Sequence, residues 1–157
     1  MDVREYLNQG YMLDQQIKCD MENLSDLKEA ALTVSGLSYE ERLFTPDNSN
    51  AGFVKILYKI DELREQIGFE LNLFINLRDE ISKVIRTVPT LKGQLVLHYR
   101  HIKHLTWESI GDELSVNERT VRRWYRDAIE HVVMPENPTD VNKILQKNEE
   151  CPNMSNC

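Results

Sequence analysis

Four arginines, Arg119, Arg122, Arg123 and Arg126, fall within eight consecutive residues. A guanidinium is a planar fork of donors that can hold a phosphate or bridge O6 and N7 of guanine. Asn117 and Glu118 stand just before them; asparagine caps helices, and a glutamate can accept from cytosine N4. Charge on an exposed helix often serves solvation alone, but four arginines in eight residues exceed what solvation requires. The chemistry expected of Asn117, Glu118, Arg119, Arg122, Arg123 and Arg126 is therefore contact with double-stranded DNA.

Such side chains are useful only on a rigid element, and the surrounding residues specify one. From Ile110 to Trp124 the chain follows a helix-turn-helix template, in which two helices cross steeply through a short turn and need a small residue at their closest approach. Gly111 is that residue. Ile110 and Leu114 supply the inner face of the first helix, Val116 plugs the turn, and Val121, Trp124 and Ala128 recur at helical spacing along the second. Thr106 and Asn117 stand where caps belong. The recognition helix is expected over about 117–133, with its arginines on the solvent side. Pro89, suited to a first helical turn, should open a preceding helix over about 89–103 with Leu91, Leu95, Tyr99 and Ile102 facing the pair. A trihelical head over 89–134 results.

Other chemistries find no support. His98, His101 and His104 step round a helix by about 300° per gap, so they diverge and read as partly exposed surface residues instead of metal ligands. Cys19, Cys151 and Cys157 are too few for a disulfide framework, which suits a reducing cytoplasm, and the last two read as isolated thiols. There is no glycine-rich phosphate loop, nucleophile elbow or carboxylate cluster. Neither an enzyme, a cofactor nor a metal is expected.

Residues 1–88 predict an all-α partner for the head. Val3, Tyr6, Leu7, Leu13, Ile17, Met21, Leu24, Leu27, Ala31 and Val34 form one helical stripe, ended by Ser35 and Gly36. After a connector rich in turn formers, Thr45 to Gly52, a second runs Phe53, Ile56, Ile60, Leu63, Ile67, Leu71, Phe74, Leu77, Ile81, Val84 and Val88, close to a heptad repeat. At about 1.5 Å per residue the two helices match in length and can fold back as an antiparallel, coiled-coil-like hairpin. A hairpin alone buries little, so a homodimer forming a four-helix bundle is expected; the alternative is that the first helix packs on the C-terminal domain of its own chain. Residues 135–157 read as a polar, flexible tail with a short helix at most over 140–146.

Charge follows the same division. The whole chain of 157 residues carries −7. Residues 1–88 hold 16 acids and 10 bases, residues 89–134 hold 6 and 7, and residues 135–157 hold 4 and 2. Only the head is not acidic. No apolar run is long enough to span a bilayer, and no membrane partner is expected.

From Leu95 to Val132 the chain resembles region 4 of bacterial sigma factors. The likeness rests on Leu95-x3-Tyr99-Arg100, on Leu105-Thr106-Trp107-Glu108-Ser109-Ile110-Gly111, and on Val116-Asn117-Glu118-Arg119-Thr120-Val121-Arg122-Arg123-Trp124 with Ala128-Ile129. With Tyr6-Leu7-Asn8-Gln9 and the hairpin, residues 1–134 resemble short phage-encoded regulators of Gram-positive bacteria, related to the ArpU and RinA groups of late-gene activators. The resemblance implies contacts from the start of the recognition helix and host RNA polymerase as a further partner. Two departures stand out: Ser115 occupies a turn position where glycine is common, and no promoter-melting region 2 is present. A DNA-packaging recognition subunit and a protein-binding module that inhibits a host factor are the alternative functions.

Overall fold

The computed structural model describes residues 1–36 and 48–150, with side chains over 1–34 and 51–148. Among these residues all regular structure is helical: α1 (Val3–Gly36), α2 (Asn48–Ile85), α3 (Leu91–His101), α4 (Trp107–Leu114), α5 (Glu118–Glu130) and α6 (Val141–Glu150). None is long and apolar enough to cross a membrane. Asn48 to Gly52, expected within the connector, already belong to α2. The remainder of that connector, and Cys151 and Cys157, lie outside the described residues.

The chain divides into two compact units. One comprises Asp14–Asn72, and the other joins Met1–Leu13 to the described residues from Leu73 onward. This differs from the expected division at residue 88. Both ends of the hairpin pack with the head: Tyr6, Leu7, Leu77, Ile81, Val84, Ile85 and Val88 are all buried. Polar contacts fasten the same unit. The Tyr6 hydroxyl donates to Glu80 Oε1 at 2.6 Å, Thr139 Oγ1 donates to Glu80 Oε2 at 2.6 Å, and the Val141 amide donates to Gln9 Oε1 at 2.8 Å. The segment expected as a flexible tail is thus held through Thr139 and Val141, and its helix is longer than the sequence suggested. Two backbone positions and one buried valine anchor a stretch whose composition is otherwise polar.

In the unit of residues 14–72 the helix pair is antiparallel, as the matched stripes imply, with Asp20 against Glu70. Ile17, Ala31, Ile60 and Ile67 are buried there. Two residues of the expected stripes are not: Met21 is 52% exposed and Leu71 is 38% exposed. Their inward places belong to Asp20 and Glu70, at 6% and 1% exposure. The reason is register. Ile60, Leu63, Ile67, Glu70, Phe74, Leu77 and Ile81 alternate three and four without a break, and so do Leu13, Ile17, Asp20, Leu24 and Leu27. The pattern runs straight through the acids.

Glutamines of their own helices satisfy the acids in part. Gln16 Nε2 donates to Asp20 Oδ2 at 3.0 Å and Gln66 Nε2 donates to Glu70 Oε1 at 3.2 Å. Burial, only partly opposed by the Gln66 hydrogen bond and reinforced by the neighbouring Asp20 carboxylate, raises the pKa of Glu70. Its Oε2 has no protein partner.

Candidate nucleic-acid interface

The head is built from α3, α4 and α5 packed on one another. Val96, Ile110 and Val121, one from each helix, are fully buried and form its centre, with Tyr99, Leu105, Trp107, Leu114, Val116, Trp124 and Tyr125 packed around them. In α3 the inward residues differ from expectation. Leu91 is 70% exposed, whereas Gly93, Val96, Leu97 and His101 are buried and Tyr99 and Ile102 keep their expected places. Gly93 explains the rotation: a β-carbon there would lie 3.1 Å from Ala128 Cβ and 2.8 Å from Thr90 Oγ1, so its bare backbone is what brings α3 close to α5. The α3 helix is also shorter than expected, beginning after Thr90.

The turn between α4 and α5 follows the sequence closely. Thr106 Oγ1 accepts from the Ser109 amide at 3.2 Å and Asn117 Oδ1 from the Thr120 amide at 2.8 Å, so both expected caps form. A β-carbon on Gly111 would lie 2.7 Å from the Val116 carbonyl oxygen, which leaves no room for another residue. Ser115 takes the left-handed conformation (φ 54°, ψ 41°) that glycine usually supplies. The helix-turn-helix therefore keeps its shape at the cost of a strained serine.

On α5, Val121 and Ala128 point inward. At about 100° per residue, Arg119, Arg123 and Arg126 fall within roughly 60° of one another on the opposite side. All three are exposed, and with Asn117 and Thr120 they line a surface depression of about 250 Å³. Arg122 lies on the flank. Its Nε donates to Glu118 Oε1 at 2.8 Å and its guanidinium carbon sits 5.2 Å from the centre of the Trp107 ring. Glu118 is thereby occupied within its own helix, and the carboxylate expected to accept from a cytosine is engaged by Arg122 instead. The structure brings together Asn117, Arg119, Arg123 and Arg126, and it places the Glu118–Arg122 pair on the flank beside Arg126.

Behind this face lies an aromatic and histidine cluster that the sequence did not single out. His101 is buried, not partly exposed as expected, and its Nε2 lies 3.2 Å from the Tyr125 hydroxyl. Burial, aided by the Arg100 charge and by His104, pushes its pKa down to about 4, so the ring is neutral near pH 7. Tyr125 in turn meets the edge of Trp107 at 4.8 Å between ring centres. Arg100 covers Trp107 at 4.4 Å and donates to the Leu105 carbonyl at 2.9 Å. No metal-binding cluster occurs among the described residues, and three-residue histidine spacing is an argument about divergence alone. It could not tell which histidine turns inward. That depends on Leu7, whose backbone contacts His101 from α1.

Comparison with protein-family models, curated proteins and solved structures gave no match.

Proposed function

We propose that this chain is a sequence-specific DNA-binding regulator of transcription, of the short phage-encoded type, which sets α5 into the major groove. One observation carries the reading. Arg119, Arg123 and Arg126 converge on the outer face of the second helix of a capped helix-turn-helix, with Asn117 at its N-terminus. That is where a reader of this class presents base- and phosphate-contacting groups. Arginine forks suit guanine edges, and the N-terminal amides of α5 suit a phosphate oxygen.

A single head has few charges with which to hold a duplex, so two heads in a homodimer would multiply the contacts. Met21, Val54, Leu57, Tyr58 and Leu71 are exposed apolar residues of the unit 14–72, and they supply the surface for that association. Sedimentation equilibrium of the full chain should give a dimer at micromolar concentration; a monomer would leave DNA binding to one head.

The decisive test is Arg119→Ala with Arg123→Ala, which preserves the helix because alanine is its best former. A duplex selected from a random pool and a scrambled duplex are titrated by anisotropy at several salt concentrations. Affinity for the selected site should fall by about 1–3 kcal/mol for each arginine that contacts a base, while a phosphate contact weakens both duplexes alike. Unchanged binding in every titration, or no binding by the wild type at low salt, would overturn the reading.

A further inference from the structure

A second basic depression adjoins the arginine face. It has a volume of about 330 Å³ and is lined by Arg4, Trp107, Arg122, Tyr125 and Arg126. Arg126 lines both depressions, one on either side of its side chain. Four of the lining residues come from the helix-turn-helix. Arg4 comes from the first turn of α1, outside the head in sequence but within the same compact unit.

The surroundings leave Arg4 for an anion. Of the acids beside it, Asp2 Oδ1 accepts from the Val3 amide at 2.7 Å and Glu5 Oε2 accepts from the Asp2 amide at 2.9 Å; neither forms an ion pair with Arg4, and the Asp2 charge, like that of Arg4, reaches Tyr125. Glu118, the acid nearest Arg122, is held by that arginine. Arg4 itself is exposed and forms no ion pair among the described residues. On the far side Arg100 adds its charge behind Trp107. Three guanidinium groups thus surround a cleft whose aromatic walls hold Arg122 in place, at the N-terminus of α4, where the first helix of such a motif crosses the sugar-phosphate backbone.

We propose that Arg4, with Arg122 and Arg126, clamps a DNA backbone phosphate next to the groove entered by α5, so that the N-terminal helix forms part of the interface. The inference rests on the DNA-binding reading above. In a chain of net charge −7 each correctly placed base carries a large share of the phosphate attraction.

The test uses the full chain and a labelled mixed-sequence duplex, on which backbone contacts are read without knowledge of the operator. Wild type, Arg4→Ala, Arg4→Lys and Arg123→Ala are titrated across a salt series. Arg4→Ala should weaken binding several-fold at low salt and reduce the slope of log affinity against log salt by about 0.9, the value for one phosphate contact. Arg4→Lys should restore the slope, because a lysine also releases one counterion. Wild-type affinity and slope in Arg4→Ala, with Arg123→Ala weakened, would overturn the Arg4 clamp while sparing the function. Failure of the wild type to bind the duplex would overturn both.

Discussion

The two compact units bury titratable groups of opposite kind, and this gives them opposite responses to acid. The unit of residues 14–72 buries Glu70 against Asp20 in an otherwise apolar helix seam, where burial raises the Glu70 pKa. The unit containing the head buries His101 as a neutral ring and half-buries Glu80 as a hydrogen-bonded carboxylate. Burial would raise the pKa of Glu80 as well, but hydrogen bonds from Thr139 and Tyr6 outweigh it and the pKa is lowered. Burial alone therefore does not fix the direction. A carboxylate with two good donors stays charged, and one facing another acid holds its proton.

The largest expected separation of the units comes from Ile110→Ala. The side chain is fully buried at the centre of the head, and its removal should cost about 2–5 kcal/mol. Both tryptophans of the chain, Trp107 and Trp124, pack beside that centre, so their fluorescence reports the head alone. Urea unfolding followed by fluorescence should shift to lower concentration, while amide protection over residues 14–34 and 51–72 changes little. Equal loss in both regions would show that the units unfold as one.

Asp20→Leu with Glu70→Leu should act in the other direction. Replacing a buried polar pair by apolar residues of similar size is often stabilising, by about 1–4 kcal/mol. Amide protection over 61–71 should rise. Polar residues in a heptad seam also fix register and partner number, so sedimentation of this variant should show a broader set of oligomers than the wild type. A destabilised variant would mean that the pair contributes net attraction.

Acidification should divide the molecule without any mutation. The folded His101 pKa of about 4 lies below its ordinary value of 6.5, so the unfolded chain takes up a proton that the fold refuses. The stability this contributes is complete above about pH 6.5 and is lost as pH falls towards 4. Glu80 adds to that loss once pH enters the carboxylate range. For Glu70 the raised pKa means that the fold keeps a proton the unfolded chain releases, so its unit loses stability as pH rises from about 4.5 and regains it on acidification. Between pH 7 and 5 the fluorescence-detected urea midpoint should fall, and protection over 61–71, corrected for intrinsic exchange, should be higher near pH 4.5 than at pH 7. His101→Gln should flatten the first trend and Glu70→Gln the second.

The smallest effect concerns the turn. Ser115→Gly should stabilise the head by about 1 kcal/mol, because the left-handed backbone there penalises any β-carbon. Fluorescence-detected melting checks it, and a loss of stability would show that the serine hydroxyl outweighs the strain.

Much of the head was legible in the chain. Gly111, Thr106, Asn117, Val121 and Ala128 have roles that depend on neighbours a few residues away, so their spacing alone predicts the turn, its caps and the side on which the arginines emerge. The hairpin was legible as two long helices, since three-four periodicity survives whatever packs against it. Its seam was misread where the pattern met a charged residue. Met21 and Leu71 look more apolar than Asp20 and Glu70, but position in the repeat prevails, with each acid accepting from a glutamine one turn back on its own helix.

The sequence by itself determined the all-helical class, the helix-turn-helix and the arginine-bearing face, because each arises from contacts within a turn or two of helix. Tertiary structure decided what depends on residues far apart in the chain: that Tyr6, Glu80 and Thr139 tie the ends of the hairpin to each other and to the segment after the head, that His101 turns inward against Tyr125, and that Arg4 lines one depression with Trp107 and Arg126. The physical reason is that burial and charge pairing are properties of neighbours in space. A periodic pattern says which face of a helix is covered, and only the fold says by what.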